Sequence, residues 1–181
     1  MVETIKYETV RKIGRVEIRL YPRIIIAKVD NSALDSFSLL FRFISGQNKQ
    51  KEKVKMTSPV VSQEFSKEIA MTSPVFSEFS SAGYMAFVMP AEFTFETTPE
   101  PLDNRVKIEE LPARAVAALR FSGSWSEDRF EAKKRELFDE LSKAKIMKRG
   151  DVFAMLYNPP FTPSFLRRNE VAIEIDLADQ A

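Results

Sequence analysis

The sequence predicts an α+β fold: two pseudo-twofold related halves whose antiparallel strands form a barrel-like sheet, with one α-helix per half outside it. Three observations carry this expectation. The segment Val16–Val29 matches Val106–Phe121 at an offset of 90, with Val16/Val106, Ile18/Ile108, Pro22/Pro112, Ile26/Val116 and Ala27/Ala117 in register. Both copies alternate apolar and polar residues, break at a proline and resume as an apolar run, which reads as two strands joined by a tight connection. Both are followed by one helical pattern and two further strand patterns, so the order ββαββ occurs twice.

The first helix is expected over Asn31–Gly46, with Asn31 or Ser32 as N-cap and Gly46 at the end. On a helical wheel Ala33, Leu34, Phe37, Leu40, Phe41 and Ile44 share one arc of about 120°, the face expected to lie on the sheet. Leu39 and Phe43 fall outside that arc. Either a loop, for which Val60–Ala82 is the candidate, or a ligand or partner covers them.

The second helix is expected over Ser124–Lys145, opened by a capping box at Ser124 and Glu127, with Phe130, Leu137, Phe138 and Leu141 on one face. The strands after the helices are expected at Val54–Pro59 and Tyr84–Met89 in the first half, and at Phe153–Pro159 and Glu170–Ile175 in the second. The halves divide near residue 90, giving one domain over 1–181 with internal halves of about 1–90 and 91–181.

MTSPV occurs twice, at Met56 and Met71. The spacing does not match the 90-residue repeat, so the two copies are expected to pair as a hairpin whose strands each stop at a proline that withholds a ladder donor.

Composition narrows the chemistry. The 181 residues contain no His and no Cys, which removes Ser-His-Asp and Cys-His nucleophilic sites, HExxH metallopeptidases, thiolate zinc sites and Fe–S clusters. There is no Gly-rich phosphate loop and only 5 Gly, and no acid pair stands apart in an apolar setting that would tune it for proton transfer. No enzyme activity is expected.

A net charge of +1 gives no one-sign field for nucleic acid. No apolar run approaches the roughly 18 residues of a membrane span. The opening stretch MVETIKYETVRKIG lacks the apolar core of a secretory signal, so a cytoplasmic location is expected, with no membrane partner.

Met56, Met71, Met85, Met89 and Met155 read as core filler, although a thioether can also ligate haem iron. Alternate Lys49, Lys51, Lys53 and Lys55 read as a solvated loop or as an anion clamp. The segment YNPPFTPSFLRRNEV, Tyr157–Val171, sets Phe161 and Phe165 beside Arg167 and Arg168. That arrangement suits a flat, carboxylate-bearing molecule, unless the two guanidiniums pair with Glu170 or other acids.

The phrases VKMTSPV, IAMTSPV, AFVMPAEFTFETTPEPLDNRVKIEELPARAVAALRFSG and YNPPFTPSFLRRNEV resemble the SOUL haem-binding protein family over about Tyr7–Ile175. A doubled MT[SA]PV, a VMP strand end, a P-x-P-x-[DN]-x-x-V link and a terminal RRNEV, in that order, are jointly specific.

The resemblance implies βαββ-type halves in a distorted antiparallel barrel, related to the effector-binding domains of some transcription regulators. It implies a haem or porphyrin ligand held in a groove along the first helix and near the loop before RRNEV. On this sequence those positions are Leu34, Phe37 and Phe41, then Thr162 with Phe161 and Phe165. The chain departs from the haem-binding branch, with Phe where that branch has Met and with Leu34 and Thr162 at its basic groove positions.

Arg42 and Arg168 are then the candidates to meet propionates. Haem would bind without His or Cys ligation, and metal-free protoporphyrin about equally well. The alternatives are an effector-binding type pocket for another amphipathic molecule and, third, an enzyme acting on a tetrapyrrole.

Overall fold

A proline has no N–H to donate and a fixed φ, so it ends a ladder and lets the chain turn away. Pro22 and Pro112 do this at equivalent places, and at each the chain leaves one compact unit for the other. The computed structural model describes residues 3–30, 33–50, 53–54, 57–62, 83–158 and 161–177. Its strands are β1 (Glu3–Thr4), β2 (Glu8–Ile13), β3 (Val16–Tyr21), β4 (Ile24–Asp30), β5 (Thr57–Ser62), β6 (Tyr84–Val88), β7 (Val106–Leu111), β8 (Arg114–Phe121), β9 (Lys148–Leu156) and β10 (Asn169–Ile175). The helices are α1 (Ala33–Ile44) and α2 (Glu127–Lys143), and a 3₁₀ turn spans Ser164–Leu166.

Unit 1 comprises Met1–Ile5 and Arg23–Leu111, and unit 2 comprises Lys6–Pro22 and Pro112–Ala181. The compact units thus divide the chain differently from the sequence halves, because unit 2 takes β2 and β3 from the first half and unit 1 takes β7 from the second, each handed over at a proline. The 90-residue repeat reappears in the registers. Val16 faces Leu119 in unit 2, and the equivalent residues Val106 and Val29 face each other in unit 1.

In unit 1 the strand order is β1-β5-β6-β4-β7, antiparallel except for β1 with β5, and α1 packs on β4, β6 and β7. In unit 2 the order is β2-β3-β8-β10-β9, all antiparallel, with α2 on β8 and β10. The α+β class with two helices and antiparallel pairing is as expected. The closed barrel is not what the pairings draw: closure needs two neighbours for every strand, and among the described residues β2 and β7 each have one.

The faces of α1 correct the wheel. Ser36, Leu39, Leu40, Phe43 and Ile44 are buried, while Phe37 is half-buried and Phe41 is exposed. Leu39 and Phe43 therefore belong to the packed face, at the three- and four-residue spacing of a helix stripe. Ser36 is buried beside them, and this turns the buried face away from Phe41.

In α2 the buried residues are Phe130, Leu137 and Leu141, and Phe138 lies half-buried under the Lys148 ammonium, 3.9 Å from the ring centre. The cap is Ser126, not Ser124. Its backbone is extended, and its hydroxyl accepts the Arg129 N–H at 3.3 Å. Glu127 and Asp128 in the first turn complement the helix dipole.

Strand β5 runs through Pro59 instead of ending there, with a register shift between Thr57 and Val60 that accommodates a residue lacking its donor. The second MTSPV lies outside the described residues, as do Met56, Met71, Lys51 and Lys55. Strand β9 begins at Lys148 and so extends earlier than expected, whereas β6 and β10 fall where their patterns placed them. Strand β2 was not expected: it is exposed along nearly its whole length, so it lacks the apolar alternation that marks a half-buried strand.

One polar cluster organises unit 2. Glu17, Arg19 and Tyr21 share one face of β3 by strand alternation. Arg19 meets Glu170 through Nη1 to Oε2 at 2.6 Å and Nη2 to Oε1 at 3.0 Å, and their side chains are 1% and 0% exposed. Glu170 also accepts from Tyr157 Oη at 3.0 Å and from Arg168 Nε and Nη2 at 3.0 and 2.8 Å.

Arg19 in addition donates to Glu17 at 2.8 Å and to Tyr21 at 3.2 Å, and stacks over Tyr7. Burial acts to lower the Arg19 pKa, but the hydrogen bonds and charge of Glu170 outweigh it and the net shift is upward. Burial, with the Glu170 charge, raises the Tyr157 phenol, which stays a neutral donor.

Two stability measurements follow. Leu40→Ala and Leu137→Ala, at fully buried positions, should each lose about 2–5 kcal/mol in urea unfolding, and Leu20→Ala on the exposed side of β3 less than about 1.5 kcal/mol. Glu170→Gln leaves the buried Arg19 with Glu17 as its remaining carboxylate partner and should cost about 3–5 kcal/mol, whereas a double replacement of Arg19 and Glu170 by Met and Leu should recover most of it. Equal losses in the single and double variants would show that the pair, not the uncompensated charge, sets the cost.

Candidate functional site

Among the described residues, the aromatic candidates from the sequence lie in two places, each within one unit, and Phe95, 51% exposed, lies apart from both. In unit 1 the first is the flank of α1. Phe37 and Phe41, one helical turn apart, have near-parallel rings, 6.0 Å between centres and 12° between planes. Phe37 in turn meets Phe87 of β6 edge-on at 5.3 Å.

Phe87 is buried, Phe37 intermediate and Phe41 49% exposed, so the aromatic stack runs from the core outward and leaves one ring face available. Such a face suits a flat apolar molecule. Leu34 sits in the first turn of α1, and its side chain lies outside the described residues.

Arg42 follows Phe41 in the last turn, exposed, with its Nε donating to the Ser38 carbonyl at 3.3 Å. It lines a cavity of about 140 Å³ with Leu39, Phe43, Pro101, Leu102 and Asp103. Ligand pockets usually span roughly 300–1,000 Å³, so this space is too small for a tetrapyrrole, and neither Phe37 nor Phe41 faces it. Asp103 at its mouth is held at a pKa of about 2, first by hydrogen bonds from Arg105 and also by the Arg42 charge.

In unit 2 the second place is the loop before β10. Phe161 and Phe165 are 87% and 73% exposed, and Leu166 is exposed beside them. The loop is nonetheless fastened. Arg167 Nε donates to the Thr162 carbonyl at 2.8 Å, Gly123 N–H donates to Ser164 O at 2.9 Å, and Asn169 Nδ2 donates to Gly123 O at 3.0 Å. Gly123 has φ +108, and a Cβ there would strike Arg129, so both the backbone and the close approach call for glycine.

Arg168 belongs to the buried cluster. It is bound to Glu170 and to Tyr7 Oη at 3.0 Å and stacks on Tyr157 at 3.9 Å. Of the two roles the sequence allows Arg168, ligand contact or pairing with Glu170, the geometry shows the pairing.

Haem iron takes its axial ligands from donors such as His, Cys, Met or Tyr. Among the described residues no group of three or more His, Cys, Asp or Glu could hold a metal. Met85, Met89 and Met155 are each 3% exposed, which places their thioethers in the core. The Tyr21 hydroxyl is bonded to Arg19 and that of Tyr157 to Glu170. Among the described residues these thioethers are taken up by packing and these hydroxyls by hydrogen bonds, while Met147 is exposed at 61%.

The reading from sequence placed Phe37, Phe41 and Arg42 together, and it missed Phe87 and Leu166. Leu166 stood in the quoted loop, one residue past Phe165. Phe87 is legible only as a strand residue, since its place under Phe37 depends on the register of β6 with β4.

The match to a family model described as "SOUL heme-binding protein" covers residues 2–174. Among curated proteins, Heme-binding protein 1 of Sus scrofa is 27% identical over 150 residues, which is 79% of this chain and 71% of that protein. Two solved structures share the fold at 10% identity. The EcmrR C-terminal domain superposes with a TM-score of 0.60, covering 94% of this chain and 98% of that one. A hydrolase from Listeria innocua gives 0.56, covering 92% and 94%. With a family model matched along nearly its whole length, this chain belongs to the SOUL haem-binding protein family.

Proposed function

We propose that the protein is a cytoplasmic, non-catalytic binder of haem or another porphyrin, acting as a carrier or buffer, and that it lays the macrocycle on the flank of α1. The observation that carries this reading is the Phe37–Phe41 stack, backed by Phe87 and open on its outer side. Family membership supports the ligand class.

Leu34, Phe37 and Phe41 supply apolar contact, and the exposed Arg42 supplies a guanidinium for a propionate. Phe161, Thr162 and Phe165 form a separate apolar surface whose contribution is tested by its own substitutions. Arg168 contributes through the shape of the loop, since its guanidinium is bound to Glu170.

Affinity then comes from burying ring faces, with no covalent or coordinate bond from His or Cys. Absorbance titrations with haem and with metal-free protoporphyrin should give dissociation constants within about tenfold, or about 1.4 kcal/mol, of each other. A haem affinity more than tenfold tighter would reveal an iron ligand and overturn the ring-face reading.

Phe41→Asp, at a half-exposed position, should weaken both ligands by at least about tenfold while leaving the unfolding midpoint in place. Undiminished binding in that variant would move the site off α1. The same titration with Phe161→Ser and Phe165→Ser reads the loop.

A further inference from the structure

The duplicated architecture is incomplete at one edge. β3 and β7 are repeat equivalents, related by the 90-residue offset, and each pairs on one side with its partner strand, β8 or β4. In unit 2 the other side of β3 is covered by β2, through Glu8↔Leu20 to Ile13↔Val16. In unit 1 β7 ends the strand order, and among the described residues nothing pairs with its outer side. Alternate residues along Val106–Leu111 therefore turn their backbone groups away from β4 to a side with no ladder partner among the described residues, the Val106 N–H being bonded to Asp103 O at 3.1 Å, whereas the equivalent strand has a partner there.

The sequence of this edge, VKIEEL, complements itself. In an antiparallel pair with a two-fold axis normal to the sheet, opposite residues lie on the same face, so partners must share parity along the strand. Centring the axis at Ile108 sets Ile108 against Ile108, half-buried in the chain. It also sets Lys107 against Glu109 twice, once on each side of the axis. Lys107 and Glu109 share the face that carries Lys28 and Asp30, and Lys107 lies directly opposite Lys28 on β4.

Within one chain Asp30 already bonds Lys107 at 2.8 Å, and Glu109 contacts Lys28 at 3.5 Å. An incoming Glu109 would extend this alternation of charge to the far side of Lys107. Opposite charges directly across an antiparallel pair stabilise it, and like charges oppose it.

We propose that the outer edge of β7 is a self-association surface, on which a second copy of the chain adds its own β7 antiparallel about Ile108, with Lys107 facing Glu109 in both directions. The surface is the isologous kind that closes as a dimer and does not propagate. With six residues per copy the contact is small, so association is reversible and rises with concentration.

The test uses the full chain and two charge variants, Lys107→Glu and Glu109→Lys, in sedimentation equilibrium over a wide concentration range. The unaltered chain should pass from monomer to dimer. Each variant alone places like charges opposite each other and should remain monomeric, and an equimolar mixture of the two should dimerise again. Amide exchange at β7 should slow as the unaltered chain is concentrated.

A monomer at every concentration overturns the proposal, as does a dimer that both variants retain. Slow β7 exchange in dilute monomer also overturns it, because that would show the edge covered by the chain itself. Circular dichroism of each variant verifies that it folds. None of these readouts depends on a tetrapyrrole.

Discussion

The Arg19–Glu170 pair joins residues 151 positions apart in sequence and lies wholly out of solvent. A carboxylate and a guanidinium removed from water persist only when nearly every lone pair and donor is met. Glu170 meets that condition by accepting from Arg19, Tyr157 and Arg168. To satisfy one carboxylate, unit 2 must hold β3, β9 and β10 in a single mutual register, with β8 between β3 and β10. The cluster thus acts as a specification as much as a source of stability, since a slipped strand would leave a charge unpaired in the interior.

The same constraint reaches the loop of the candidate site. Arg168 is held by Glu170, the next residue, Asn169, is tied to Gly123, and Gly123 holds Ser164. The exposed Phe161 and Phe165 therefore stand on a segment fastened at its base. Their rings are 87% and 73% exposed, with Leu166 exposed beside them. On α1 the arrangement differs, since Phe41 is exposed at the end of an aromatic row rooted in the core at Phe87. Both surfaces offer ring faces, and neither offers a histidine or a thiolate.

Duplication explains the economy of the fold, and the two N-terminal strands depart from it, β1 beside β5 and β2 beside β3. Two strand pairs with identical offset registers, Val16↔Leu119 and Val106↔Val29, place a helix-bearing sheet in each unit. The prolines at 22 and 112 hand β2 and β3 of the first half and β7 of the second to the other unit. The added N-terminal strand β2 breaks the equivalence, because it caps β3 and among the described residues has no counterpart beside β7.

The sequence by itself determined the element order, the ninety-residue repeat, most strand positions, the burial of Met85, Met89 and Met155, and the exclusion of His and Cys chemistry. These follow from composition and from periodicity, which are local properties of the chain. Tertiary structure alone decided the rest.

It chose which arc of α1 is buried, because that helix is apolar on too many sides for a wheel to select one and its buried stripe includes a serine. It moved the α2 cap to Ser126, where the backbone is extended and the hydroxyl reaches the Arg129 N–H. It drew β2, an exposed strand with no apolar signature. It also fixed Arg168 on Glu170, since a pairing between charges is settled by geometry and burial, and those exist only once β9 and β10 have met.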